Sequence, residues 1–76
     1  MRTETIRRND LINTADGCLI ITGGCYGKVY ADRYRADSEG ILEFDGEEAL
    51  SYNDIEVMMK EVDGCNHKVE HEEGDE

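Results

Sequence analysis

The stretch CLIITGGCYGKVYADRY, residues 18–34, predicts a β-hairpin. Residues 18–22 form a compact apolar run rich in β-branched side chains, which is typical of a buried strand. Two glycines follow, Gly23 and Gly24, and glycine tolerates the positive φ that a tight hairpin turn requires. Residues 25–34 are therefore expected to return antiparallel to the first strand, so that the stretch forms the central hairpin of a sheet.

The segments on either side of this hairpin carry weaker signals. Turn residues at 36–40 should reverse the chain again before a third strand, ILEF, at 41–44. The Asp-Gly pair at 45–46 should close that strand, and residues 47–52 are a candidate short fourth strand. Residues 1–16 contain too few apolar positions to choose between strand and helix.

The apolar period changes after Ser51, which predicts one helix. Four apolar residues recur at i, i+3, i+4 and i+7 and form a helical stripe: Ile55, Met58, Met59 and Val62. Ser51 or Asn53 can cap the N-terminus of this helix, and Gly64 lies where a left-handed C-terminal cap is expected. The predicted fold class is α+β: a small antiparallel sheet or SH3-like partial barrel of three to four strands, with one C-terminal α-helix packed across it.

The length of 76 residues predicts one small domain over residues 1–68, followed by an acidic, mobile tail over residues 69–76. The chain has no Trp and one Phe, and 38% of its residues are hydrophobic. A core this small is marginally stable unless a metal, a disulfide or an oligomer holds it together. Cysteine and histidine side chains are the candidates for such a link.

The three cysteines and two histidines of the chain suit a structural zinc site. Zinc takes four tetrahedral N or S ligands, and three Cys with one His is a common closed set. The preferred ligands are Cys18, Cys25, Cys65 and His67, with His71 as the substitute for His67. Such an ion would join the hairpin to the turn after the helix. Two alternatives stay open, namely three unligated thiols and a Cys18–Cys25 disulfide.

The width of the hairpin loop decides whether two of these thiols can meet. With a two-residue turn at the glycine pair, Cys18 and Cys25 lie roughly 13 Å apart along the ladder, too far for one metal. With a four-residue loop, Ile20 pairs with Cys25, and the two cysteines become diagonal neighbours at roughly 7–8 Å between Cα atoms. The zinc prediction therefore requires the wider loop or a bulge at Gly27.

The negative charge of the chain is concentrated in its C-terminal half. Residues 41–76 contain thirteen acidic residues against Lys60 and Lys68, which accounts for the whole net charge of −11. Such a surface repels nucleic acid and favours basic protein partners, although a solvated, solubilising face is the alternative. Eight carboxylates around the third strand and the helix are the candidate partner contacts: Glu43, Asp45, Glu47, Glu48, Asp54, Glu56, Glu61 and Asp63.

No segment carries a complete catalytic motif, and the chain is predicted not to be an enzyme. TGGCYGKV at 22–29 approaches a glycine-rich phosphate loop, but Thr22 replaces the first glycine and the remaining chain is too short for the other parts of a kinase. A closed zinc site with four protein ligands has no open position for chemistry. Because no apolar run approaches the roughly 18 residues of a membrane span and no secretory signal is visible, we expect a cytoplasmic protein.

As a profile, the chain resembles the small acidic anti-CRISPR proteins of phages and other mobile elements, in particular those that inhibit the single-protein RNA-guided nuclease. The shared features are a short, proline-free, acidic, single-domain chain without a catalytic motif. The resemblance implies binding to a CRISPR effector nuclease in the cytoplasm of a bacterial host cell, and a block of target-DNA binding or cleavage without direct contact to nucleic acid. It assigns no functional residue. The alternative function is a cellular zinc-stabilised or SH3-like adaptor module in a larger complex.

Overall fold

The computed structural model of the chain describes residues 2–25 and 27–71, and of Arg2 and Cys25 it describes the backbone only. Within these residues there are six strands and one helix: β1 (Arg2–Ile6), β2 (Leu11–Thr14), β3 (Gly17–Cys25), β4 (Lys28–Ala36), β5 (Leu42–Ser51), α1 (Tyr52–Asp63) and β6 (His67–His71). Strands β2, β3, β4 and β5 form one antiparallel sheet in that order, which does not close into a barrel, and β1 pairs with β6 in a separate parallel sheet. The predicted α+β class, with a small antiparallel sheet and one helix, is confirmed.

The central hairpin forms, but its turn was predicted at the wrong place. β3 continues through the glycine pair at 23–24, and Cys25 pairs with Lys28, so that the chain reverses between these two residues. Gly27, in this short connection, has a φ of +80°. Glycine adopts that conformation without the steric cost that a Cβ atom imposes.

The glycine pair has a packing role inside β3. The register of β3 against β4 shifts between Ile21 and Gly23, where one extra residue forms a bulge. A Cβ atom on Gly24 would lie 2.9 Å from the ring of His71 and from the carbonyl oxygen of Lys28. Glycine is thus required at position 24 by the close approach of the His71 ring and of the β4 backbone, and not by a turn.

β5 joins two segments that the sequence predicts as separate strands. Its register against β4 shifts at Asp45. Arg33 pairs with Gly46 and Tyr34 pairs with Phe44, so Asp45 forms a bulge and has no cross-strand partner. Gly46 has a φ of +113°, which only glycine adopts readily. The Asp-Gly pair therefore bends one long strand and does not end it.

The helix begins and ends where the sequence predicts. The Ser51 hydroxyl accepts a hydrogen bond from the backbone N–H of Asp54 at 3.1 Å, and the Asp54 carboxylate accepts one from the Ser51 N–H at 3.1 Å. This reciprocal pair is a capping box. Gly64 ends the helix in the left-handed conformation, and its N–H donates to the carbonyl of Lys60. No helix of the described chain has the length and apolar character needed to cross a membrane.

One face of the antiparallel sheet packs against the helix and the parallel strand pair. The buried apolar cluster takes side chains from every element: Ile6, Ile12, Leu19, Ile21, Val29, Ala31, Leu50, Ile55 and Val69. In the predicted helix stripe, Ile55 is fully buried, and Met58 and Met59 pack partly buried against the cluster. Val62 is half exposed, so the stripe contacts the core along its first two turns.

The parallel pairing of β1 with β6 was not predicted. It aligns Arg2–Ile6 with His67–His71 and places Val69 in the core. The boundary predicted for a mobile tail is therefore too early, since residues 69–71 belong to β6. Residues 72–76, the rest of that predicted tail, lie outside the described residues.

Candidate protein-binding surface

The eight candidate carboxylates lie on two elements of the fold. Four belong to β5, an outer strand of the antiparallel sheet: Glu43, Asp45, Glu47 and Glu48. The other four belong to α1: Asp54, Glu56, Glu61 and Asp63. Their contacts separate the carboxylates that stabilise the fold from those that are free to meet a partner.

In β5, two carboxylates already have cationic partners. Oε2 of Glu48 lies 2.7 Å from Nη1 of Arg33, and the Asp45 carboxylate lies 3.3 Å from Nη2 of Arg35. Two others are exposed and form no hydrogen bond or ion pair with any described residue: Glu43 and Glu47.

Arg33 links the sheet to the turn between β2 and β3. Its guanidinium lies 3.3 Å from the Asp16 carboxylate as well as 2.7 Å from Glu48. The hydrogen bond to Glu48, with Asp16 adding to it, raises the pKa of Arg33 above its usual value. A hydrogen bond from the Thr14 hydroxyl, and then the contact with Arg33, lowers the pKa of Asp16. Glu48 is therefore part of the internal ion-pair network of the sheet.

In α1, three of the four carboxylates hold other parts of the chain in place. Asp54 completes the capping box with Ser51. Oε2 of Glu56 accepts a hydrogen bond at 2.9 Å from the backbone N–H of Val69, which fastens β6 to the helix. Oδ1 of Asp63 accepts a hydrogen bond at 2.9 Å from the backbone N–H of Cys65, in the turn after the helix. The remaining carboxylate is exposed and has no partner in the described chain: Glu61.

His67 is buried between two carboxylates. Its Nε2 lies 2.8 Å from Oδ2 of Asp63, and its Nδ1 lies 3.4 Å from Oε2 of Glu4. The second contact lacks hydrogen-bond geometry, so Nδ1 faces a carboxylate without a hydrogen bond to any described residue. Hydrogen bonds from the Cys65 backbone N–H and then from His67 lower the pKa of Asp63. The cluster fastens the end of α1 to β6 and β1.

The register of β3 does not bring the predicted zinc ligands together. Cys18 and Cys25 lie at opposite ends of this strand, roughly 23 Å apart at the rise of an extended chain, because the reversal follows Cys25. Cys18 is buried, Cys65 is exposed, and both ring nitrogens of His67 face carboxylates. The four residues therefore do not fit one tetrahedral ion in this register.

Zinc binding itself stays a prediction. The side chain of Cys25 lies outside the described residues. Within the described part of the chain, no group of three His, Cys, Asp or Glu side chains is placed to hold a metal ion. His71, the substitute ligand, packs its ring on Gly24 of β3, and its buried Nε2 has no hydrogen-bond partner among the described residues. His71 therefore packs against Gly24, the residue that precedes the predicted ligand Cys25.

Two carboxylates meet across neighbouring strands in a way that the sequence did not indicate. Asp32 of β4 pairs directly with Glu47 of β5. Neither carboxylate forms an ion pair with a described residue. The sequence does not show this pair, because only the register of β4 against β5 determines which residue lies opposite Glu47.

No protein-family model, curated protein or solved structure matches this chain.

Proposed function

We propose that this chain is an acidic binding protein that inhibits a DNA-handling enzyme, and that its partner is a CRISPR effector nuclease, as for the anti-CRISPR proteins that it resembles. The observation that supports the proposal is that Glu43 and Glu47, on opposite faces of the outer strand β5, are both exposed and form no ion pair with a described residue. The net charge of −11 adds a long-range attraction to basic surfaces and speeds encounter with them.

Such an inhibitor acts by competing with DNA for a basic surface. Enzymes that handle DNA hold its phosphates with Lys and Arg side chains. RNA-guided nucleases hold the guide–target duplex in a positively charged channel and read the adjacent motif with arginines. Carboxylates presented by a rigid strand form charge-assisted hydrogen bonds with the same side chains. Occupation of that surface excludes target DNA and requires no chemistry from the inhibitor.

The contacts within the fold narrow the set of binding residues. Glu48 and the bonded carboxylates of α1 each hold part of the structure, so that replacing them would change stability together with binding. Three candidates remain, Glu43, Glu47 and Glu61, and the partner contact is assigned to the two on β5 because β5 is an outer strand of the sheet. Glu70, exposed on β6, provides a control position for the same change of charge.

The test is cleavage of a DNA target by a purified single-protein RNA-guided nuclease in the presence of the chain. We expect inhibition that weakens at least tenfold between about 50 mM and about 300 mM salt, because exposed charge pairs are screened. Glu47→Lys should weaken inhibition, whereas Glu70→Lys should leave it unchanged. Equal loss in the two variants, or no inhibition at any salt concentration, would overturn the proposal.

A further inference from the structure

The antiparallel sheet is covered on one face only by the described chain. The buried cluster lies on the face that carries Leu19, Ala31 and Leu50, and α1 packs from that side against β2 and β5. Because successive residues of a strand point to opposite faces, the pairing of the strands assigns a second set of side chains to the other face. We name this surface the open face, and its side chains include Ile20, Tyr30, Asp32, Tyr34, Phe44 and Glu47.

Three aromatic side chains lie near one another on the open face, beside aliphatic ones such as Leu11 and Leu42. Tyr34 and Phe44 are cross-strand partners, and their rings meet edge to face with centroids 5.8 Å apart. Phe44 is 59% exposed and Tyr30 is 45% exposed. Exposed aromatic side chains that lie close together on a small domain are typical of a surface that binds another protein.

Asp32 and Glu47 lie between these aromatic side chains. The register places their cross-strand pair between the Tyr34–Phe44 pair and Tyr30. Like charges directly opposite each other on neighbouring strands destabilise a sheet. Since no described cation is paired with either carboxylate, the repulsion is not relieved within the described chain. A cation from another molecule would relieve it.

A shallow hollow adjoins this carboxylate pair. Its volume is about 290 Å³, and its lining residues are Thr22, Tyr30, Ala31, Glu47, Glu48 and Ala49. Its wall combines an aromatic ring with a carboxylate. Arginine suits both groups, because its planar guanidinium pairs with carboxylates and stacks on aromatic rings.

We infer that the open face is the docking surface for a basic segment of a partner protein, with an arginine that meets Asp32 and Glu47 and with apolar neighbours that cover Phe44. This inference rests on the proposed function, since it names the surface through which the chain holds a basic partner. Charge complementarity selects the occupant. A second copy of the chain would bring its own net charge of −11 against the same carboxylates.

A short synthetic peptide in which arginine and leucine alternate tests the docking surface without any nuclease. Fluorescence anisotropy should show binding, and backbone amide NMR signals should shift in β3, β4 and β5. Asp32→Asn combined with Glu47→Gln should weaken binding about tenfold, as expected for two partly exposed ion pairs. Glu70→Lys makes the same change of net charge on β6 and should weaken binding less than about twofold. Phe44→Ala should weaken binding with the charge unchanged.

The results of this assay distinguish binding at the open face from attraction by net charge. Equal weakening by the Asp32/Glu47 variant and by Glu70→Lys would show that the peptide follows net charge alone, and would overturn the assignment. Signals that shift only in α1, or self-association of the chain through the open face, would overturn it as well. Absence of nuclease inhibition counts against the proposed function alone, whereas a peptide that is indifferent to Asp32 and Glu47 counts against the docking surface alone.

Discussion

Glu47 and Glu48 are neighbours in β5, but their side chains have opposite surroundings. Glu48 lies 2.7 Å from Arg33, whereas Glu47 lies across from Asp32 on the open face. Glu48→Lys places a second cation beside Arg33 and should lower the free energy of unfolding by about 1–2 kcal/mol. Glu47→Lys turns a like-charge pair into an opposite-charge pair and should leave that free energy equal or raise it by up to about 1 kcal/mol.

Urea unfolding of both variants and of the parent chain measures this difference. The two variants have the same net charge, so any gap between them reports local surroundings. Equal stabilities would contradict the register of β5 against β4, because that register places Glu47 opposite Asp32 and Glu48 beside Arg33.

Asp63 makes the stability of the fold depend on pH in the acid range. Hydrogen bonds from the Cys65 backbone N–H and from His67 lower its pKa below the ordinary 3.8 of an aspartate. A carboxylate whose pKa is lower in the folded state stabilises the fold above its unfolded-state pKa, and this contribution is lost as the pH falls through the folded-state pKa. The free energy of unfolding should therefore decrease below about pH 4, and it should decrease less in Asp63→Asn.

Urea unfolding at intervals from about pH 5 to about pH 2 follows this contribution. The gap in stability between the parent chain and Asp63→Asn should be largest near pH 5 and should close toward pH 2. Glu70→Gln removes one negative charge at an exposed position of β6 and is the control for the change of net charge. A constant gap for Asp63→Asn would show that ionisation of this residue is not coupled to folding.

Among the elements, β6 is short, but the core depends on it. Val69 is 2% exposed, belongs to the buried cluster, and donates its backbone N–H to Glu56 of α1. Val69→Ala should lower the free energy of unfolding by about 2 kcal/mol, through lost apolar burial and a small cavity. Val57 of α1 is half exposed, and Val57→Ala should change that free energy by less than about 0.5 kcal/mol. Similar losses in the two variants would contradict the position of β6 on the core.

Local patterns were sufficient to predict α1 but not the parallel strand pair. The apolar stripe, the Ser51 cap and the Gly64 terminus all lie within one continuous segment, so their spacing carries the information. β1 and β6 come from the two ends of the described chain, and each contributes one apolar residue to the core, Ile6 or Val69. Strands with so little apolar content form because of their tertiary contacts, and local sequence patterns do not reveal such contacts.

The glycine pair shows that a sequence pattern typical of a turn can instead reflect a tertiary contact. Two glycines after an apolar run are typical of a hairpin turn, yet Gly24 accommodates the His71 ring and the chain reverses after Cys25. The predicted metal site depends on the same turn, because the position of the turn sets the separation of Cys18 and Cys25. Net charge likewise predicted an acidic surface, but only the contacts show that Glu48 and Glu56 are bonded within the fold.

The zinc prediction and the observed packing give different accounts of what holds the elements of the fold together. In the first, an ion ties the hairpin to the turn after the helix. In the second, the buried cluster joins every element, and Glu56 and Asp63 fasten β6 and the turn to α1. Cys65 distinguishes the two, since it is a predicted ligand whose side chain is exposed and whose backbone N–H is bonded to Asp63.

Cys65→Ser should leave the melting temperature within about 3 °C of the parent value, because a surface substitution that keeps the backbone hydrogen bond costs little. Elemental analysis of both proteins, with thermal melts before and after treatment with a chelator, measures the effect. About one zinc per chain that is lost together with the fold in Cys65→Ser would favour the ion. That result would require Cys18 and Cys25 to approach each other, and hence a different register for β3 and β4 from the one observed.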